Sequence, residues 1–312
     1  MPLAPTTPLP SLYDLGIGNT PLLRLTRWDG LSDSVRLYAK AEWANPGASV
    51  KDRAAGRMVL AGLASGALKP GGTLLDSTSG NTGIAYAWLG ARLGFGVRLA
   101  VPGSISAGRR RILLALGARL DVSSPLEGSD GAVRLARQIM DEEAGPFFYP
   151  NQYDNPENWK AHYETTGPEI LAQTDGAVTH FVAGLGTTGT FRGTTARLKA
   201  EKPGLRAASV QPDSPFHGLE GLKHLATAIM PGIHDPTLAD EEFFIATEEA
   251  QAQVRETARR EGLLIGPSGG ANLAAALRVA RREAAAGRRA VVVTVFPEPG
   301  ERYLDEPWWA SP

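Results

Sequence analysis

Apolar residues along the chain follow two alternating periods. The short runs "VRLYAKAE" (35–42), "GTLLDS" (72–77), "VRLAVP" (97–102), "ARLDVS" (118–123), "HFVAG" (180–184), "AASVQP" (207–212) and "AVVVTVF" (290–296) read as strands. Between them lie longer stretches with a helical stripe. These include the Ala-rich "VKDRAAGRMVLAGLASG" ended by Gly66, "IAYAWLGARLG" after a Gly-rich turn, and "DGAVRLARQIMDEEAG" with Gly145-Pro146 beyond its end. Further helices are expected from about Thr188 to Lys202, around "EEAQAQVRETARREG", and in "GPSGGANLAAALRVARREAAAG". Pro150, Asn151, Asn155 and Pro156 mark a long connection, and 213–240 is loop-rich. Strand, turn and helix in repetition predict parallel sheets covered by helices on both faces.

Composition narrows the function classes. With 312 residues the chain is long for one core and comfortable for two domains. A net charge of −1, with acids and bases interspersed, gives no footprint for nucleic acid or an anionic membrane. The basic cluster Arg109-Arg110-Arg111 opens an apolar-periodic segment and reads as a solvated helix start. The absence of cysteine excludes disulfides, thiolate metal sites and a cysteine nucleophile. No apolar run approaches the length of a membrane span. The start "MPLAPTTPLPSLYDLG" has no basic or apolar signal-peptide region, so an arm ordered by contact or a loose tail, and a cytoplasmic protein, are expected.

Four turns carry candidate chemistry. In "NPGASVKDR" (45–53) an Asn-Pro-Gly turn delivers Lys51 into the first turn of a helix, where the partial positive charge disfavours ammonium. The neutral amine so favoured is the form that condenses with an aldehyde. Of only seven lysines against 25 arginines, Lys40 and Lys223 are the other possibilities, but neither is framed by such a turn. "STSGNTG" (77–83) offers more hydroxyl and amide groups than a helix cap by Ser79 or Asn81 would need, and suits a carboxylate. "GPSGG" (266–270) fits G-x-S-x-G, yet all five histidines precede Ser268, so the order of a serine hydrolase fails. His217, His224 and His234 have no metal-ligand spacing, and no metal is expected. "GLGTTGT" (184–190) contains a literal G-x-G-x-x-G, and a dinucleotide site is one reading. Its threonines, and its place beyond the middle of the chain, favour a small phosphorylated ligand.

These motifs, with "GNTPL" (18–22) and "HYETTGPEI" (162–170), occur in the order and at the separations of a known family. The chain resembles the fold-type II pyridoxal-phosphate enzymes, and within them the cysteine synthases of the B type, from about Gly16 to Leu304. The resemblance implies an α/β fold with two domains, each a twisted, mostly parallel sheet with helices on both faces. The smaller, 41–150, would carry the TSGNTG turn; the larger, 1–40 plus 151–312, would bind the cofactor phosphate. It implies pyridoxal 5'-phosphate held as an imine on Lys51, which also serves as base. Asn81 would bond the pyridine 3'-oxygen, Gly186, Thr187, Thr188, Gly189 and Thr190 the phosphate, and Ser268 would face the pyridine nitrogen. Thr78, Ser79, Thr82 and Gln152 would hold the substrate carboxylate. The loop "DSPFHGLEGLKH" (213–224) is the part least like the family, and its Lys223 reads either as a partner for a phosphorylated substrate or as a surface lysine.

The implied reaction is β-replacement on O-acetylserine or O-phosphoserine by a sulfur nucleophile, giving L-cysteine in a cytoplasmic homodimer. Cystathionine formation or serine/threonine dehydration with the same cofactor is the alternative, and a nucleotide-dependent oxidoreductase is a more distant one. The chain departs from the pattern at Gln211-Pro212, in place of Glu-Pro, and at Pro297 and Asp305 in "PEPGERYLDEPWW".

Overall fold

A computed structural model describes residues 8–310 other than Ser79 and Ala144. In chain order, β1 (Leu22–Leu25) and β2 (Val35–Ala41) precede α1 (Lys51–Ser65) and β3 (Thr73–Ser77). Then come α2 (Asn81–Leu93), β4 (Gly96–Pro102), α3 (Ala107–Ala115), β5 (Arg119–Ser123), α4 (Gly128–Glu142) and β6 (Phe147–Phe148). The remainder contains α5 (Pro156–Glu164), α6 (Thr166–Gln173), β7 (His180–Gly184), α7 (Gly189–Glu201), β8 (Arg206–Pro212) and β9 (Glu241–Ile245). It closes with α8 (Thr247–Glu261), α9 (Pro267–Ala285) and β10 (Ala290–Phe296).

The described residues form two compact units, each with its own sheet. The first comprises 8–17 and Lys51–Asn158, around the all-parallel order β5-β4-β3-β6. Side chains alternate across β4: Val97, Leu99 and Val101 join Met58, Tyr86 and Leu89 of α1 and α2, whereas Ala100 faces Ala132 and Ala136 of α4. Helices therefore cover both faces. Leu12 and Ile17 close over Gly56 of α1, where a Cβ would stand 2.7 Å from each of their methyl groups.

The second unit comprises Gly18–Val50 and 159–310, around the order β1-β2-β10-β7-β8-β9, in which β1 alone is antiparallel to its neighbour. All seven residues of β10 are buried, as a near-continuous β-branched run in a parallel sheet requires. Val292 and Phe296 pack with Ala271, Leu273 and Ala276 of α9 on one face; Val291, Val293 and Val295 pack with Ile170, Phe191 and Leu198 on the other. Residues 41–50 pack with this second unit: Val50 lies in the latter core and donates its N–H to the Pro297 carbonyl at 2.8 Å.

Candidate active site

Each candidate motif opens a helix. Lys51 is the first residue of α1, Asn81 the first of α2, Gly189 the first of α7 and Ser268 the second of α9. Backbone N–H groups at such positions have no partner within the helix, and the helix dipole favours negative charge there.

The turn before Lys51 is held by Asn45. Its amide donates to the Glu42 carbonyl (2.8 Å), the Glu42 carboxylate (2.9 Å) and the Ser49 carbonyl (3.2 Å), and its oxygen accepts from the Gly18 N–H (2.9 Å). Thr20 donates to the other Glu42 oxygen at 2.7 Å. "GNTPL" thus acts as the brace of the lysine turn, which also places Ala48 at a φ of +58°. Asp52 and Arg53 are fully buried, so α1 does not begin as the ordinary solvated helix start that is the plainest reading of its polar residues. Lys40 is structural: its ammonium, wholly buried, reaches the Thr20 carbonyl (2.6 Å), the Thr20 hydroxyl (2.7 Å) and Glu169 (2.6 Å).

In the TSGNTG turn, Gly80 is the N-cap of α2, with a φ of +152°, and Asn81 is the first residue of the helix. Capping falls to Thr78, whose hydroxyl oxygen accepts from the N–H groups of Gly80 (3.1 Å) and Gly83 (3.0 Å). Thr82 donates to Gln152 at 2.8 Å across 70 residues of sequence, and Gln152 donates to the Ser77 carbonyl at 2.7 Å. Among the described residues, the Thr78 hydroxyl hydrogen and the second amide hydrogen of Gln152 are left over in this cluster. That supply suits a carboxylate. Ser79 lies outside the described residues.

Arg109 corrects the expectation of a solvated cluster. It is buried, and its side chain lies so close over Gly80 that a Cβ there would stand 2.9 Å from the arginine Cδ. Sequence reasoning missed it because three consecutive arginines look alike; only the helix turn separates the buried one from its exposed neighbours.

Asp76, two residues before Thr78, has its carboxyl pushed up to about 7 because burial disfavours the charge; the Ser77 N–H and the Tyr86 hydroxyl oppose the shift.

The loop after β7 is fixed on both sides. The Leu185 carbonyl accepts from the Lys223 N–H at 2.8 Å, and a Cβ on Gly186 would stand 2.1 Å from the Gly221 carbonyl oxygen. The backbone of 221–223 therefore lies against the loop; the Lys223 side chain is half-buried. Thr188 is held at a φ of +69°, an uncommon region for a residue with a β-branch, and its buried hydroxyl has no partner among the described residues. Thr190 meets His162 Nε2 at 3.2 Å, and His162 Nδ1 meets Thr166 at 2.9 Å, so "HYETTGPEI" buttresses the loop. A strained backbone, an unsatisfied hydroxyl and a helix start fit a group with several acceptor oxygens, as a phosphate has.

Ser268 is buried and donates its hydroxyl to Glu298 Oε1 at 2.6 Å. Glu298 was not foreseen, since nothing in the sequence says which group a serine 30 positions away will meet. Gln211, at a departure from the family pattern, accepts the Leu225 N–H at 3.1 Å.

Among the described residues no helix is long and apolar enough to cross a membrane, and no group of three or more His, Asp or Glu could hold a metal ion. A cysteine synthase of Aquifex aeolicus is 47% identical, over 92% of this chain and 89% of that protein. Cysteine synthase B of Escherichia coli is 40% identical over 94% of each. The crystal structure of a cysteine synthase from Entamoeba histolytica superposes with a TM-score of 0.89 at 32% identity, covering 99% of this chain and 93% of that one. The family pattern of the pyridoxal-phosphate dependent enzymes matches residues 13–298, and the chain belongs to that family.

Proposed function

We propose that this protein makes L-cysteine by pyridoxal-phosphate dependent β-replacement on an activated serine, O-acetylserine or O-phosphoserine, with a sulfur nucleophile. The observation that carries this reading is the placement of its four motifs. Lys51, the TSGNTG turn, the GLGTTGT loop and Ser268 each stand at the start of a different helix, and the chain is 47% identical to a cysteine synthase.

Lys51 would hold the cofactor through its aldehyde carbon, Asn81 would bond the ring oxygen, and 186–190 would bind the phosphate. Support for the last assignment is the unsatisfied Thr188 hydroxyl at the mouth of α7. When bound, the cofactor supplies the electron sink that makes the substrate Cα–H acidic and lets the β-substituent depart. The protein's part is positional and acid–base. Lys51 Nζ takes the proton from Cα and returns it after the sulfur has added. Thr78, Ser79, Thr82 and Gln152 would orient the substrate by its carboxylate; the two donors left over in that cluster are what the reading rests on there. Lys223 would meet the phosphate of a phosphorylated serine. A cytoplasmic homodimer is the form expected.

Colour tests this directly. The purified protein should show a visible absorption band, lost in Lys51→Ala, and borohydride reduction should leave a cofactor-labelled peptide containing residue 51. Cysteine should form from O-acetylserine or O-phosphoserine with sulfide, with turnover down at least about 10³-fold in the variant. A folded wild type that cannot be coloured by added cofactor, or a label on another lysine, overturns the reading.

A further inference from the structure

We infer that Asp76 is a positioning residue for the substrate carboxylate, its side chain setting the spacing of the two chain segments that grip that group. The inference rests on the reading, made above, of the TSGNTG turn and Gln152 as the carboxylate subsite. The donors left over there belong to Thr78 on one segment and Gln152 on the other, which Thr82 joins across 70 residues of sequence. To hold one carboxylate both must point at the same place, and hydrogen bonds weaken steeply as their angle is lost.

Asp76 touches both segments. Its Oδ1 accepts the Ser77 N–H at 2.8 Å, next to Thr78, and the Gln152 backbone N–H bonds the same carboxyl. Its Oδ2 accepts the Tyr86 hydroxyl at 2.9 Å, which ties the carboxyl to the middle of α2. Ser77 is held from its other side as well, since its carbonyl accepts the Gln152 amide at 2.7 Å. The Gln152 carbonyl takes the Asn158 amide at 2.6 Å, so the Gln152 backbone is fixed at both its N–H and its carbonyl. Asp76 and Tyr86 are fully buried, where a lost hydrogen bond is costly and the geometry correspondingly stiff. The frame does not depend on the charge of Asp76. A carboxylic acid keeps an acceptor oxygen for the N–H groups, and the hydrogen between Oδ2 and the tyrosine oxygen can come from either partner. In this role Asp76 meets no substrate atom; it acts through Ser77 and Gln152.

The test separates affinity from turnover. Asp76→Asn sets an NH₂ group among these donors, and Tyr86→Phe removes one donor while keeping the ring. For each holoenzyme, KM is measured for sulfide and for the activated serine that wild type turns over. L-Alanine, which has the carboxylate but no leaving group, is titrated by its effect on the visible band. In Asp76→Asn the KM for the activated serine and the dissociation constant of L-alanine should both rise about 10-fold. The KM for sulfide, and kcat per mole of bound cofactor, should change less than about twofold. A merely structural aspartate would lower the yield of coloured enzyme and leave every KM as it was. That result overturns the inference, and so does an equal rise for sulfide. Tyr86→Phe should show the same pattern at about threefold. It decides the matter if Asp76→Asn does not fold, and unchanged KM values there overturn the inference. Wild-type affinity for L-alanine in Gln152→Ala, or a wild type that takes up no cofactor, overturns instead the reading of the site on which this inference rests.

Discussion

Asp76 is fully buried in β3. Its two oxygens take the Ser77 N–H and the Tyr86 hydroxyl, and with the Gln152 backbone these favour the charge, but burial outweighs them. The carboxyl titrates near 7 in the fold against its ordinary 3.8. Below 3.8 it is protonated folded or unfolded. Between 3.8 and 7 the unfolded chain releases the proton while the fold retains it, so this group's contribution to stability falls as pH rises and is lost above 7. Asp76→Asn should lose about 1–3 kcal/mol at every pH, because an NH₂ group has no lone pair to offer the donors around this position. Against that constant offset, its Tm should gain on wild type by roughly 5 °C between pH 4 and 8. Thermal melts of both proteins across that range check it, and parallel curves would contradict the assignment. At this scale, the residues that open helices were legible in the sequence because turn chemistry frames them. Glu298, His162 and buried Arg109 were not, because each gains its meaning from a partner far along the chain.

Elements show the same division between local signals and remote partners. Long, strongly patterned segments such as α1, α9 and β10 were readable from periodicity alone. The edge strands β1, "LLRL", and β9, "EEFFI", were not: they are only partly buried and lack a clean alternation. α5 and α6 were hidden by residues that usually punctuate loops. Pro156 is the first residue of α5, and Pro168 lies in the first turn of α6, where a missing N–H is harmless. Glycine inside helices separates packing from propensity. Ala in place of Gly favours a helix by about 1 kcal/mol. At Gly270 of α9, however, a Cβ would stand 2.2 Å from the Ala250 carbonyl oxygen of α8. Overpacking costs about 1–3 kcal/mol, and a backbone carbonyl has little room to yield. Gly270→Ala should therefore lower Tm by several degrees. Gly108→Ala in α3, where nothing lies within 4 Å, should raise it slightly. Melting curves that rank the two variants the other way would refute the argument.

For the whole molecule the order of strands matters more than any one of them. The second unit's sheet places β10, the last strand in sequence, between β2 and β7. β2 pairs with β10 through all seven of its residues, and β7 meets it through His180, Phe181 and Val182. A chain ending at Gly287 would leave β2 and β7 without the strand they share, and should show neither a cooperative melt of the second unit nor cofactor colour. Retention of both would contradict this. The expected α/β class with mostly parallel sheets agrees with the architecture and with the match to a solved cysteine synthase. This insertion could not be foretold, since periodicity identifies strands without giving their neighbours. For a nascent polypeptide, the larger sheet lacks a middle rung until Ala290–Phe296 has emerged. Chaperones that shield exposed apolar edges would have the most to do in that interval, and a stop just before residue 290 would be nearly as damaging as an early one.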